Sequence, residues 1–476
     1  MVDGNTSNRV IEDVRAAARA LPPGSRLPSV RELMARHRAS PVTVQRALAQ
    51  LAGEGLVVPR PGRGTFVAER PAPRSGVIAP GEPPRAPDLG WQEVALADRP
   101  PLPAASLDQL LAVPTPDAIA LSGGYLHADL QPLAALGSAL ARAARRPEAW
   151  GRLPVEGLEP LRAWFAREAG GHARAHDVVV CPGGQPALAT TFRAFSAPGE
   201  PVLVESPTYL GAIAAIRAAG LRAVPVPADE HGVRPELLAS AFALTGARVF
   251  YCQPLHANPT GATLAVDRRA AVLEAVAAAG AFLIEDDWAR DLRIDGDAPP
   301  PLAADDPDGH VVHLRSLTKS AAPGLRVAAV TARGVAGARL KAARIIDDFF
   351  VSGPLQHATL ELVSSPAWRR HQRTLRAALA QRRDALVAAV GEHLPAWRIA
   401  GVPAGGLHVW VRLPDDLDDV ALTARAAAAG VVVSPGRPWF ASEPPASHLR
   451  LTYAGAAPPE LAEGVRRLAA AAAVRA

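Results

Sequence analysis

Residues 310–326 read HVVHLRSLTKSAAPGLR. The stretch opens on an apolar run, Val311 to Leu314, that reads as a buried strand. It ends in a polar turn carrying Ser316, Thr318 and Lys319, followed by a Pro-Gly pair and Arg326. Lys319 stands out against the composition: of 51 basic side chains, two are lysines, Lys319 and Lys341. Arginine can serve in ion pairs and anion sites, but it does not deprotonate and so cannot form a Schiff base with an aldehyde. A chain that has almost abandoned lysine, yet keeps one at the end of a buried strand beside hydroxyls and an arginine, marks there the tether for an aldehyde cofactor. Lys341, in ARLKAARIIDD, lies on a helical, charge-flanked face and reads as solvated.

Working outward, the same pattern recurs. Apolar runs at Val178 to Val180, Val202 to Glu205, Val224 to Val226, Val249 to Tyr251, Phe282 to Glu285, Val311 to Leu314 and Val327 to Val330 alternate with alanine-rich amphipathic stretches such as Asp267 to Ala279. That alternation predicts an α/β fold with a mostly parallel sheet covered on both faces. Ligands of such sheets bind beyond the carboxyl ends of the strands. The polar motifs CPGGQ, ESPTY, HANPTG, EDDW and RSLTK all fall there. From Pro395 onward, shorter strands (Gly406 to Leu413, Val431 to Ser434, His448 to Tyr453) predict a smaller α+β domain, from about 391 to 476, with which Ala118 to Trp150 is expected to pack.

The first 70 residues differ. They hold eleven arginines and six acids, a net +5 that equals the charge of the whole chain, which points this segment at a polyanion. Helical spacing runs from Asn8 to Ala20. Ser29 can cap a helix from Val30 to His37, with Glu32 in its first turn, and Ser40 can cap another from Pro41 to Ala52. Two extended runs, Leu56 to Arg60 and Thr65 to Ala68, flank the basic tip PRPGRG. Helix, turn, helix and basic β-wing is the geometry of a winged helix-turn-helix. Residues 71–90 are dense in Pro, Gly and Arg and read as a stiff linker, leaving 91–476 as the second folded part. Cys181 and Cys252 are far apart and end apolar runs, as small buried thiols of a reducing compartment do. No apolar run reaches the roughly 18 residues of a membrane span, so a cytoplasmic protein with no membrane partner is expected. His127, His256, His313, His357 and His408 lack metal-ligand spacing, and no metal is expected.

The stretch GSRLPSVREL…SPVTVQRALAQLAGEGLV…GRGTFV resembles the N-terminal domain of GntR-type bacterial regulators. The resemblance implies that Arg31, Ser40, Thr43 and Gln45 face DNA, with Arg63 and Gly64 in the wing; Arg31 and Arg63 would hold phosphates, and Thr43 and Gln45 would reach base edges. His37 and Arg38 occupy a turn where relatives carry glycine, and Pro41 stands where many carry arginine.

The second part resembles the fold-type I aminotransferases, which use pyridoxal 5′-phosphate (PLP). By that resemblance Lys319 is the covalent tether and proton carrier. Asp286, the first aspartate of EDD, pairs with the pyridine nitrogen; Asp287 is the neighbour open to confusion with it. Glu205 and Glu285 hold backbone or helix ends. Asn258 bonds the cofactor's phenolic oxygen, Trp288 stands where relatives place a tyrosine on that oxygen, and Tyr209 stacks on the ring. Gly184 and Gln185 offer backbone N–H groups to the phosphate, which Ser316, Thr318 and Arg326 help to hold. Arg450 binds an amino acid's carboxylate, and Tyr125 is a further pocket residue. A GntR head joined to an aminotransferase-like module is the layout of MocR regulators. It implies a transcription factor that binds double-stranded DNA, senses PLP or an amino acid or amine effector, and works as a homodimer. The competing reading is a working aminotransferase with an appended DNA-binding head.

Overall fold

The computed structural model describes residues 3–60, 63–68, 89–97, 115 and 117–474. The chain falls into two compact units, residues 1–99 and 100–476. Residues 71–88 of the expected linker lie outside the described residues. The short helix Trp91–Leu96 has no buried side chain.

The first unit holds helices α1 (Asp3–Ala20), α2 (Val30–His37) and α3 (Pro41–Gly53), then strands β1 (Val57–Arg60) and β2 (Gly64–Val67), paired antiparallel with Arg60 opposite Gly64. The start of α2 is fixed by a capping box: the Glu32 N–H donates to the Ser29 hydroxyl at 3.3 Å, and the Ser29 N–H donates to the Glu32 carboxylate at 2.7 Å. The apolar stripes of the helices meet in one core around Val10, Val14, Leu33, Val44 and Leu51. Asp13 of α1 accepts from both Arg36 and His37, tying down the end of α2, and Arg15 pairs with Glu54 beyond α3. The turn between α2 and α3 needs a left-handed residue, and Arg38 takes it, at φ 49°. This is the turn where a glycine is usual, because an L side chain there costs about 1 kcal/mol.

In the second unit, strand β3 (Ile119–Ala120) precedes an eight-stranded sheet. Its members are β4 (Val178–Cys181), β5 (Pro201–Ser206), β6 (Arg222–Asp229), β7 (Gly232–Val233), β8 (Val249–Cys252), β9 (Phe282–Asp287), β10 (Val311–Ser316) and β11 (Ala328–Thr331), in the order β4-β11-β10-β9-β8-β5-β6-β7. The neighbours from β10 to β6 are parallel. Strand β11 runs antiparallel to both β10 and β4. Side chains alternate between the faces: Tyr251, Ile284 and Leu314 pack with helices 184–195, 210–218 and 334–348, while Phe250, Cys252 and Leu283 pack with helices 235–245 and 266–278. Because β11 runs against the others, it begins where they end. Arg326, two residues before β11, therefore joins the strand ends at the carboxyl edge.

The long helix Pro366–His393, capped by Ser365, leads to the smaller sheet. Strands β12 (Arg398–Ile399), β13 (His408–Arg412), β15 (Ser434–Pro435) and β16 (His448–Thr452) pair antiparallel in the order β12-β13-β16-β15. Its core joins Leu375, Val409, Leu449, Leu461 and Val465. Two expectations need correction. The run Val431 to Ser434 is not one strand. Its first half, β14 (Val431–Val432), pairs parallel with β3, and Ser434 starts β15, paired with β16. The stretch Ala118 to Trp150 is also divided. Strand β3 and Leu126 join the small-domain core, but helix Leu133–Ala143 packs through Ala139 and Ala143 on Ala358 of helix Gly353–Ser364. Its alanine-rich stripe fits another helix at close range, a choice that periodicity does not reveal.

Candidate functional site

The ends of β4, β5, β8, β9 and β10 deliver side chains to one pocket, with Arg450 and His408 added from the small sheet. Lys319 stands at its centre, three residues past β10. Its Nζ donates to the Gly124 carbonyl at 2.7 Å and lies 3.6 Å from the centre of the Tyr125 ring. Burial, then the positive charges of Arg450 and Arg326, push its ammonium down to about 7, against the pull of Asp286. A substantial fraction of the Lys319 side chains is therefore neutral at pH 7.

Asp286 and Asp287 point to opposite faces of β9, as strand alternation requires. Asp286 lines the pocket, and its Oδ2 accepts from the Tyr251 hydroxyl (2.7 Å) and the Gln253 amide (2.8 Å), which leaves Oδ1 for the pocket. Burial raises its carboxyl to about 6 against those two bonds. Asp287 is buried on the other side with His313 at 3.1 Å and with Arg290 and Arg315. Burial works to raise it, but the His313 bond and the two guanidinium charges outweigh burial and hold it well below the usual range. Glu205 accepts from the Gln253 N–H at 2.8 Å, and Glu285 accepts from Leu302 and Ala303 at the start of a helical turn.

Arg450, on β16, is 1% exposed. Its guanidinium reaches the Asn258 Oδ1 (3.3 Å), His408 Nε2 (3.2 Å) and the carbonyls of Ser122 and Gly123, and lies over the Trp439 ring. No carboxylate among the described residues pairs with it, and its Nε has no partner. Burial pushes it down to about 9, so it stays charged at pH 7. The Asn258 amide oxygen is taken by Arg450, which leaves its NH2 as the free end.

Tyr209 donates its hydroxyl to the Gln185 amide oxygen at 3.1 Å, and Gln185 donates to the Gly211 carbonyl at 2.8 Å. A Cβ on Gly211 would lie 2.3 Å from the Tyr209 ring, so no side chain fits beside this tyrosine. Helix Gly184–Phe195 starts with no side-chain cap and opens its N–H groups to the pocket. Around it stand Ser316, Thr318 and Arg326; the Thr318 hydroxyl is buried with no partner, and Arg326 makes no hydrogen bond or ion pair to any described residue. Gly183 has φ 112°, and a Cβ there would meet the Arg326 guanidinium at 2.6 Å. Trp288 is buried, its indole N–H has no partner, and it stacks on His408.

All ten residues expected at the cofactor, together with Arg450 and Tyr125, thus line one pocket. The sequence reading missed Gly124, Tyr251, Gln253 and His408. Tyr251 and Gln253 are two apart at the end of β8, on the face that Asp286 shares, and that period-2 pairing was the available signal. His408 has no metal-ligand spacing in the sequence, and its place beside Arg450 comes from the pairing of β13 with β16. Among the described residues no group of three or more His, Cys, Asp or Glu could hold a metal ion. Lys341 pairs with Glu156 on a helix surface, away from the pocket.

On the head, Arg31, Ser40, Gln45 and Arg63 are exposed, and Thr43 and Gly64 half-buried. The Ser40 hydroxyl caps α3 by accepting from the Thr43 N–H (3.1 Å), and it bonds the Thr43 hydroxyl (2.8 Å).

Comparison with known proteins agrees with this layout. Residues 121–468 match aminotransferase class I and II, and residues 6–67 match bacterial regulatory proteins of the gntR family. An uncharacterized HTH-type transcriptional regulator, YdfD of Bacillus subtilis, is 27% identical over 94% of this chain and 92% of its own length. The 2-aminoadipate transaminase of Thermus thermophilus is 33% identical over 80% of this chain and 96% of its own. This chain belongs to the MocR-type transcriptional regulators. A solved structure of LysN from Thermus thermophilus, an alpha-aminoadipate aminotransferase complexed with N-(5′-phosphopyridoxyl)-L-leucine, superposes on the MocR chain with TM-score 0.73, covering 80% of it and 97% of LysN at 31% identity.

The pocket fits PLP on its own chemistry. Uncapped helix N–H groups, the Thr318 hydroxyl and the Arg326 guanidinium supply what a phosphate needs, and the Asn258 NH2 and the Trp288 N–H, which has no partner among the described residues, face the same pocket as Lys319. This MocR-type regulator binds PLP through its aminotransferase-like unit and DNA through its GntR head. Among the described residues no helix is long and apolar enough to cross a membrane.

Proposed function

We propose that this regulator senses PLP, and an amino acid presented to it, through the pocket around Lys319, and that occupancy changes how its heads hold operator DNA. One observation carries the reading: an amine poised near neutrality and a buried guanidinium with no carboxylate partner line the same pocket. When bound, PLP supplies an aldehyde that captures amines and a ring that withdraws electrons from the attached carbon. Lys319 would tether it and, once an incoming amine has displaced it, would be a free amine of lowered proton affinity beside the bound amino acid, able to accept a proton from it. Asp286, still largely ionised at pH 7, holds a proton on the ring nitrogen through its free Oδ1. Tyr209 covers the ring. Asn258 and Trp288 donate toward the phenolic oxygen. Gly184, Gln185, Ser316, Thr318 and Arg326 hold the phosphate, and Arg450 attracts the α-carboxylate with its buried positive charge.

Arg31 and Arg63 hold DNA phosphates, and the chain acts as a homodimer in the cytoplasm. Exposed apolar side chains of the second unit, Trp150, Ile346 and Phe349 among them, are of the kind that a second copy covers. The effect on DNA is bounded by the ligand's difference in affinity for the two head arrangements. The likeness to a transaminase favours a second reading, an enzyme with an appended head. An amino-group exchange assay with a panel of amino acids and 2-oxo acids separates them. A sensor binds amino acids, seen as a change in the bound cofactor's absorbance, with turnover near background. Sustained turnover supports the enzyme and sinks the pure sensor.

A further inference from the structure

The Ser40 and Thr43 hydroxyls at the tip of α3 bond each other, and the apolar side chain between them is open. Val42, the second residue of α3, is 64% exposed. On the helix it shares one exposed face with Gln45, Arg46 and Ala49, opposite the buried stripe Val44, Ala47, Leu48 and Leu51. This is the face a recognition helix turns into the major groove, its N-terminal residues nearest the base edges. The major groove carries one apolar mark, the C5-methyl of thymine. The head's net +5 draws it to DNA, and Ala49 keeps the middle of this face thin enough for close approach.

We propose that Val42 is a base-reading residue that packs on a thymine methyl, and that with Gln45 it sets operator sequence. Residues three apart on a helix are about 4.5 Å apart along its axis, close to the roughly 3.4 Å between base pairs. The thymine read by Val42 therefore lies within two base pairs of the adenine read by Gln45.

The inference rests on DNA binding by the GntR head, and its test separates the two. The full-length chain is used to select sites from a random duplex pool, and the selected duplex is then measured by fluorescence anisotropy with each thymine replaced in turn by deoxyuridine, which removes the methyl alone. Loss of one buried methyl weakens binding about fourfold per half-site. Wild type loses this at one thymine near the Gln45 adenine. Val42→Ala binds the unsubstituted duplex correspondingly less well, is indifferent to deoxyuridine at that position, and keeps the wild-type salt slope, since no phosphate contact is touched. Val42→Thr, which keeps one methyl, retains part of the preference. A selected site with no methyl-dependent thymine, or one whose methyl effect survives Val42→Ala, overturns the proposal and leaves DNA binding standing. A pool that converges on no sequence overturns base reading by this helix altogether. A drop in melting temperature for Val42→Ala without change in DNA binding shows that the chain itself covers this face, which also overturns it.

Discussion

The pH profile of PLP capture tests the electrostatics of Lys319. The amine captures an aldehyde only when neutral. An ordinary lysine, which titrates near 10.5, is neutral in about one molecule in 3,000 at pH 7, whereas Lys319 at about 7 is neutral in a substantial fraction. Burial and the Arg450 and Arg326 charges thus raise the reactive fraction at pH 7 by about three orders of magnitude. The same shift has a sign for stability. Between pH 7 and 10.5 the unfolded chain holds a proton on this lysine that the folded chain has lost, so stability rises with pH across that window and the cost is complete below 7. The assay is stopped-flow absorbance after mixing apo protein with PLP, from pH 5.5 to 9.5. We expect the rate to rise through a midpoint near 7 and level off above 8. Arg450→Gln removes a charge that lowers the Lys319 value, so its midpoint moves up; Asp286→Asn removes one that raises it, so its midpoint moves down. A wild-type rate still climbing tenfold per unit at pH 9, or midpoints that ignore both substitutions, rules out this origin of the amine's reactivity.

Three further outcomes follow from the geometry. Gly183→Ala puts a Cβ 2.6 Å from the Arg326 guanidinium and should weaken PLP binding roughly 10- to 100-fold, the worth of a charged hydrogen bond; fluorescence titration showing less than threefold loss in a folded variant contradicts it. Arg38→Gly relieves a left-handed arginine and should stabilise the head by about 0.5–1 kcal/mol, read as a higher calorimetric melting temperature of its transition. Tyr251→Phe removes a bond that lowers the Asp286 carboxyl, so that group should ionise at higher pH than about 6, and the absorbance of bound PLP should titrate with a midpoint shifted upward.

The parts legible in the sequence were those set by local chemistry. Ser29 and Glu32 fixed the start of α2, and the runs around Val249, Phe282 and Val311 read as strands because strands buried on both faces are continuously apolar. Lys319 was legible because lysine is scarce here. What depended on tertiary pairing was not. The break at Val433 follows from two different sheets claiming its neighbours, and the split of residues 118–150 follows from a helix fitting Ala358 instead of the small-domain core. Tyr251 and Gln253 support Asp286 only because β8 and β9 are neighbours, a fact set by sheet order. The engagement of Ser40 and Thr43 with each other required coordinates, since the same residues serve equally as cap or as base contact.

Coupling between pocket and head is open to a direct test by operator binding, read as fluorescence anisotropy. Full-length wild type and Lys319→Ala are each titrated on the selected duplex, and on the duplex upstream of the chain's own coding sequence, with and without PLP. Coupling through the Lys319 amine requires that PLP shift wild-type affinity or salt slope and leave Lys319→Ala unmoved. Identical wild-type curves with and without PLP, under conditions where absorbance shows the pocket filled, would contradict it.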